Sequence, residues 1–280
     1  MRDGLAVCGV CPHACALAEG RRGICRARVA RGGAVVAENY GRVTSIALDP
    51  VEKKPLARYR PGSFVLSLGS YGCNLRCPFC QNAEIACAGE SDVPWRELTP
   101  ADAVELALQA REDGCIGIAY TYNEPLVGYE YVRDAGLLAH EAGLANVLVS
   151  NGMVNEGPLS ELLGVVDAAN IDLKSFDQGF YDIVGGDLAA VKRTVETLAA
   201  EPTCHLEVTT LVIPGLNDDP AGIDAAAAWL ASLDARIPYH LTRFFPCHRM
   251  LDRPPTPVPV LRALADVARR HLDDVLLGNC

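Results

Sequence analysis

Short apolar runs typical of buried strands alternate with helical patterns from residue 64 to the end of the chain. Such an alternation indicates βαβ units, whose strands form a parallel sheet. The predicted strands are Val65–Leu68, Ile116–Tyr122, Asn146–Ser150, Ala168–Leu173, Leu206–Ile213, Tyr239–Phe244 and Val275–Gly278. About six such units fit a partial or complete TIM-like (β/α)6 barrel, so we expect an α/β fold. Periodicity alone also allows a doubly wound open sheet.

Two of the intervening helices carry local signals. Thr99-Pro100-Ala101-Asp102 supplies an N-cap, a first-turn proline and an acidic residue before the apolar positions of Val104–Gln109. Pro220–Ser232 is rich in alanine, the residue with the highest helix propensity. Both segments are therefore predicted to be helices that cross between strands.

The first 60 residues follow a different pattern. Residues 1–30 are rich in Cys, Arg and Gly without a clear period, which suggests a segment held together by a metal. Two alternating stretches, Ala34–Glu38 and Val43–Leu48, are separated by Asn39-Tyr40-Gly41-Arg42 and predict a β-hairpin. We therefore expect a Cys-rich N-terminal segment with a hairpin over 1–60 and a barrel over 61–280.

Composition narrows the classes of function. The formal net charge of −10 argues against nucleic acid as a partner, because such binding depends on clustered Lys and Arg. The N-terminus lacks the apolar core of a signal peptide, and no apolar run is long enough to cross a membrane. We expect a cytoplasmic protein in which the 12 cysteines serve mainly as metal ligands, and hence an oxygen-sensitive one.

A long loop between the first barrel strand and the helix at Thr99 contains three closely spaced cysteines. Cys73, Cys77 and Cys80 form a CxxxCxxC motif, with the aromatic residue Phe79 just before the third cysteine. Three cysteines leave one iron of a [4Fe-4S] cluster free to coordinate a small molecule. Zinc is the alternative, but structural zinc takes four ligands and the nearby Cys87 stands at an unusual spacing.

A second group of cysteines lies near the N-terminus. Cys8, Cys11, Cys15 and Cys25 supply four thiolates, which suit either tetrahedral zinc or a closed second iron–sulfur cluster. The sequence does not separate these two. His13 lies within the same segment and is either a further ligand or a surface residue.

These motifs resemble the radical S-adenosylmethionine (SAM) superfamily, in particular the branch of pyruvate formate-lyase activating enzyme and, within it, the AmmeMemoRadiSam radical SAM proteins. The resemblance extends over nearly the whole chain. Besides the three-cysteine loop, its segments are Cys8–Arg26, Thr121-Tyr122-Asn123-Glu124-Pro125, Ser150-Asn151-Gly152, Ile171-Asp172-Leu173-Lys174 and Ile213-Pro214-Gly215-Leu216-Asn217-Asp218.

The resemblance implies a [4Fe-4S] cluster on Cys73, Cys77 and Cys80 and a bound SAM. The implied SAM contacts are Phe79, Glu124, Ser150, Asn151, Asp172, Lys174 and His248. Without the resemblance, each of these groups also has a purely structural interpretation. Glu124 could begin a helix, Ser150-Asn151 could form a turn, and Asp172 could form an ion pair with Lys174.

The chain departs from the family pattern at two positions. Val149 stands where activating enzymes carry an acidic residue, and Cys247-His248 replaces the Asp-Tyr of the closer relatives. The first change leaves one part of SAM without its expected partner. The second puts in question both the contact of His248 with SAM and any substrate shared with those relatives.

Three functions follow from the sequence. The first is a radical SAM enzyme that is reduced by a flavodoxin or ferredoxin, cleaves SAM to a 5′-deoxyadenosyl radical and abstracts hydrogen from an unidentified substrate. The second keeps this chemistry but acts on the glycine backbone of a partner protein, as a glycyl-radical-enzyme activating enzyme. The third, from another class, is a non-catalytic iron–sulfur or zinc scaffold or electron carrier, in which Glu124, Asn151, Asp172 and Lys174 have no purpose.

Overall fold

A computed structural model describes residues 4–280. Its strands are β1 (Ala6–Val7), β2 (Ala16–Leu17), β3 (Arg28–Arg31), β4 (Ala34–Ala37), β5 (Arg42–Val43), β6 (Ser45–Pro50), β7 (Phe64–Gly69), β8 (Arg96–Glu97), β9 (Cys115–Tyr120), β10 (Ala145–Ser150), β11 (Ala168–Asp172), β12 (His205–Val212), β13 (Tyr239–Arg243) and β14 (Val275–Gly278). The seven barrel strands predicted from the sequence are therefore present, with ends shifted by one or two residues.

The α-helices are α1 (Ala83–Ala86), α2 (Pro100–Gln109), α3 (Tyr129–Glu141), α4 (Glu156–Ser160), α5 (Gln178–Val184), α6 (Leu188–Ala200), α7 (Pro220–Asp234) and α8 (Val258–Ala268). Short 3₁₀ helices cover Val51–Lys53, Ala110–Asp113 and Pro125–Gly128. Helix α2 begins with the predicted cap: Thr99 and Asp102 form a reciprocal capping box. Within residues 4–280, no helix is long and apolar enough to cross a membrane.

One eight-stranded sheet organises the molecule, in the order β14-β13-β12-β11-β10-β9-β7-β6. Strands β7 and β9–β14 are parallel, whereas β6 pairs antiparallel with β7. The parallel strands follow chain order without a reversal, so the doubly wound alternative is wrong, because that fold requires a switch point in strand order. The result is an open, partial barrel with its helices packed on one face.

The two faces of the sheet bury different side chains. Leu66, Ile118 and Leu148 belong to the large core shared with the helices. Ala119 and Val147, neighbours in the sheet register, belong to a smaller core on the opposite face. Val51 and Leu56, from the connection between β6 and β7, complete that smaller core, so this connection fills part of the barrel interior.

The predicted hairpin between Ala34–Glu38 and Val43–Leu48 is wrong. Strand β4 pairs instead with the preceding β3, while β5 pairs with β8. Strand β6 joins the main sheet through six register pairs with β7. The alternating pattern correctly indicates strands, but it does not specify partners, and the main sheet offers β6 a longer pairing than β4 does.

Candidate active site

The loop after β7 carries Cys73, Cys77 and Cys80 and is held by backbone hydrogen bonds to three other parts of the chain. Gly72 N donates to Ile85 O at 3.0 Å, Cys73 N to Cys25 O at 3.2 Å, and Arg76 N to Val184 O at 2.8 Å. The amide of Leu75 lies 3.3 Å from the Sγ of Cys73. These bonds fix the loop at the carboxyl end of the parallel strands, where the catalytic sites of barrels lie.

Burial raises the pKa of all three thiols, to about 12 for Cys77. Their mutual repulsion as thiolates adds to this for Cys73 and Cys77, while the ammonium of Lys174 acts in the opposite direction on Cys77 and Cys80. Thiolates so placed require a cationic partner, since unpaired buried charge is costly. Metal coordination meets this requirement, because a bound metal keeps a thiol deprotonated.

The donor set therefore fits an iron–sulfur cluster. None of the three cysteines forms a disulfide, and each is partly accessible from the carboxyl end of the sheet. Three thiolates leave one iron of a [4Fe-4S] cluster without a protein ligand. Within residues 4–280, no three His, Cys, Asp or Glu side chains are grouped to hold a single metal ion.

Glu124 lies buried between the ends of β9 and β10. Its Oε1 accepts hydrogen bonds from the Oγ of Ser150 at 2.7 Å and the amide of Leu126 at 3.0 Å, and its Oε2 accepts one from the amide of Asn151 at 2.8 Å. Burial raises the pKa of Glu124 to about 7 although these bonds favour the carboxylate. The structure thus brings three of the predicted site residues into direct contact.

Asn151 connects this group to the cysteine loop. Its Nδ2 donates to the Oδ1 of Asn74 at 2.9 Å and lies 3.6 Å from the Sγ of Cys73. Asn74 in turn donates from Nδ2 to the carbonyl of Met153 at 2.7 Å. Asn74 was not predicted as a site residue, although its place between Cys73 and Cys77 was a signal.

Asp172, the last residue of β11, and Lys174, two residues after it, form an ion pair in which Nζ and Oδ2 are separated by 2.7 Å. Lys174 is kept charged: burial lowers its pKa, but Asp172 and the nearby cysteine thiolates outweigh that effect and raise it. The backbone of Lys174 is held by the Oη of Tyr181 and the Nδ2 of Asn217. Asp172 is one-third exposed, so the pair also faces the open mouth of the barrel.

The segment after β13 contacts the cysteine loop. Cys247 donates from Sγ to the carbonyl of Phe79 at 3.0 Å, and the amide of Arg249 donates to the carbonyl of Pro78 at 2.9 Å. Phe79 is buried, with its ring centroid 6.0 Å from that of Phe180. His248 is exposed and lines a cleft between the three-cysteine loop and the N-terminal cysteine segment.

Tyr122 and Asn123 also shape the mouth of the barrel, although neither was predicted from the sequence as a site residue. Tyr122 leaves strand β9 with a φ of 72° and donates from Oη to Asp49 at 2.5 Å. A Cβ on Gly69 would come within 2.8 Å of the Tyr122 ring, so this close approach requires glycine. Asn123 accepts from the amide of Ser70 and donates to the carbonyls of Tyr71 and Gly72, tying β9 to the cysteine loop.

The N-terminal cysteines lie against the same loop. Cys8 and Cys15 are joined by a backbone hydrogen bond, and burial raises the pKa of Cys25 and that of Cys11, the latter to about 11. Cys8, Cys11 and Cys25 are close enough that their thiolates repel one another. His13 lies with its Nε2 2.8 Å from the carbonyl oxygen of Asn74, so it connects the two cysteine segments.

Comparison with known proteins identifies one relative over nearly the whole chain and further matches over parts of it. The model of the radical SAM superfamily matches residues 68–226. An uncharacterized protein of Methanocaldococcus jannaschii is 37% identical over 279 residues, which are 99% of this chain and 82% of that protein. The benzylsuccinate synthase activating enzyme of Thauera aromatica is 30% identical over 123 residues, 43% of this chain and 37% of that enzyme.

A solved structure has the same fold. It is a domain of pyruvate-formate lyase-activating enzyme from Bacteroides vulgatus, with a TM-score of 0.50 and 20% sequence identity. The likeness covers 58% of this chain and 99% of that domain.

Proposed function

The chain belongs to the radical SAM superfamily, and we propose that side chains at the ends of three adjacent strands hold its SAM beside the cluster on Cys73, Cys77 and Cys80. The protein is a radical SAM enzyme of the pyruvate formate-lyase activating enzyme branch. With cluster and SAM bound, one-electron reduction cleaves SAM to methionine and a 5′-deoxyadenosyl radical that abstracts hydrogen from a substrate. Everything else that the chain contributes is binding, orientation and exclusion of side reactions.

The observation that carries the site assignment is a hydrogen-bonded group at the cysteine loop. Ser150 and Asn151 both donate to the carboxylate of Glu124, and the Nδ2 of Asn151 also reaches the Sγ of Cys73. In this proposal Glu124 provides negative charge for the amino group of SAM. It also holds Ser150 and Asn151 where they can form hydrogen bonds with the polar atoms of SAM. At the end of β11, two strands from β9, Lys174 provides positive charge for the carboxylate of SAM and Asp172 orients Lys174. Phe79 and His248 complete the proposed contacts.

The N-terminal Cys8, Cys11, Cys15 and Cys25 are proposed to bind zinc or a second iron–sulfur cluster, and for zinc their side chains would have to move closer together than the described arrangement places them. Four buried or half-buried thiols on a short segment with two-residue strands favour a metal as the stabilising element. The backbone bond between Cys25 and Cys73 makes this site a direct support of the catalytic loop. A flavodoxin or ferredoxin is the proposed source of the electron.

A protein substrate is the second candidate. It is favoured by the similarity to an enzyme named for activating benzylsuccinate synthase. In that case the hydrogen would come from the backbone of a partner that enters the mouth between the ends of β9–β13. The radical chemistry is the same for both candidates.

The proposed function is tested by anaerobic reconstitution with iron and sulfide, followed by dithionite and SAM, with 5′-deoxyadenosine as the product measured. We expect product from the wild type and none from Cys77→Ala. Cys204→Ala is the matched control, because Cys204 is half-buried at the opposite, amino-terminal end of β12, and it should retain activity. Absence of product from a wild type that is loaded, reduced and bound to SAM would reject the assignment.

A further inference from the structure

A cleft of about 290 Å³ lies where the N-terminal cysteine segment, the three-cysteine loop and the segment after β13 meet. Its charged lining residues are all basic, namely Arg26, Arg76 and Arg249, and the imidazole of His248 also lines it. No acidic side chain of the described residues lines it. In a chain with a formal net charge of −10, this concentration of positive charge is a local exception.

The arginines of the cleft are available to a partner. Arg76 and Arg249 are exposed, and within residues 4–280 neither guanidinium has an ion-pair partner; only their backbone amides are engaged in the fold. Arg26 lies 3.4 Å from Asp92, and both side chains are more than half exposed. Exposed pairs of this kind contribute little, so Arg26 is also free to bind an anion.

The cleft wall is in direct contact with both cysteine sites. Leu75 lines the cleft, and its amide is hydrogen-bonded to the Sγ of Cys73. Cys25, a proposed ligand of the N-terminal metal, lines it as well, and its carbonyl accepts from the amide of Cys73. A redox partner seated here would therefore lie against residues that are hydrogen-bonded to Cys73.

We propose that this cleft, with Arg26, Arg76 and Arg249 at its rim, is the docking site for an acidic electron-transfer protein. The inference rests on the proposed function, which requires an external donor of one electron. The reduced partner is oxidised by one electron, the cluster is reduced by one electron, and no atom is transferred. Charge complementarity steers such encounters and raises their rate, although the two proteins as a whole repel each other.

The test compares wild type with the double variant Arg26→Glu/Arg249→Glu, both carrying reconstituted cluster, and uses an acidic flavodoxin and an acidic ferredoxin as separate probes. Arg270→Glu is the matched control, since Arg270 is an exposed arginine just after α8 and outside the cleft. The primary measurement is the dissociation constant of the oxidised probe at low and at high ionic strength. The second is 5′-deoxyadenosine formed with the reduced probe and, in parallel, with dithionite.

We expect the double variant to bind at least one probe about tenfold more weakly than wild type at low ionic strength, with the difference shrinking as salt is added. Product driven by that probe should fall in parallel, while product driven by dithionite stays at the wild-type level. Equal affinities of wild type and double variant for both probes, or an equal loss in Arg270→Glu, would overturn the docking site. Failure of the dithionite reaction in wild type would instead reject the proposed function.

Discussion

Glu124 and Glu207 are both buried, but their neighbours shift their pKa values in opposite directions. Burial raises the pKa of Glu124 to about 7, because two amides and one hydroxyl only partly compensate for the lost water and Asp172 adds repulsion. Burial also acts to raise the pKa of Glu207, but hydrogen bonds from His205, His240 and the amide of Arg58 outweigh it and lower the pKa to about 2. Near neutral pH, Glu124 therefore exchanges between its neutral and ionised forms, whereas Glu207 is fully ionised.

Glu207 predicts a specific dependence of stability on pH. Its folded-state pKa lies below the unfolded value of 4.5, so its contribution is present above pH 4.5 and is lost as the pH falls toward 2. This lowering of the pKa corresponds to a loss of roughly 2 kcal/mol in the free energy of unfolding between pH 6 and pH 3. Urea unfolding at pH 6 and pH 3 measures it. Glu207→Gln should lose correspondingly less over this interval, and identical losses in both proteins would contradict the assignment.

At the scale of elements, the three-cysteine loop depends on contacts with neighbours that are distant in sequence. The loop is anchored to the N-terminal segment at Cys25, to α1 at Ile85 and to the end of α5 at Val184. Gly72 allows the closest of these approaches: it has a φ of 91°, and a Cβ there would lie 2.5 Å from the carbonyl oxygen of Cys25. The position of the three proposed ligand cysteines thus depends on packing against the N-terminal segment, α1 and α5.

Replacement of this glycine tests that dependence. Gly72→Ala should lower the free energy of unfolding by about 3 kcal/mol, combining left-handed backbone strain with a steric clash, and should reduce the iron retained. Gly20→Ala is the matched control: its φ is 74°, but no atom lies within 4 Å of the added Cβ. Denaturant unfolding and iron analysis distinguish the two. Equal effects in both variants would show that strain alone is responsible.

At the scale of the whole molecule, the N-terminal segment and the barrel share one functional region. The buried Arg28 pairs with Glu130 of α3 at 2.8 Å and donates to the carbonyl of Val127. The backbone amide of Asn155, the residue just before α4, donates to the carbonyl of Val10. The N-terminal segment is therefore fastened to two barrel crossovers as well as to the cysteine loop, so a metal bound there would stabilise the active site.

Metal analysis tests whether the N-terminal segment binds a metal. Wild type should contain metal beyond the four irons of the catalytic cluster, either zinc or additional iron. Cys11→Ser should lose that extra metal and keep the catalytic cluster, because Cys11 lies outside the three-cysteine loop. A reconstituted wild type with four irons and no other metal would rule out the N-terminal site.

The sequence by itself determined the alternation of strands and helices, the capping of α2 and the three-cysteine motif, because these depend on residues close together in the chain. Through the family resemblance it also marked Glu124, Ser150, Asn151, Asp172 and Lys174, all of which lie at or just after the carboxyl end of a parallel strand.

Only the tertiary structure decided which strands pair, since β4, β5 and β6 each have a partner that local pattern does not specify. It also decided that His13 meets Asn74, that Tyr122 reaches Asp49, and that three arginines far apart in the chain line one cleft. The physical reason is the same for these three side-chain groups. They bring together residues between 50 and 223 positions apart in the chain, and chain connectivity leaves such distances open until the core packs.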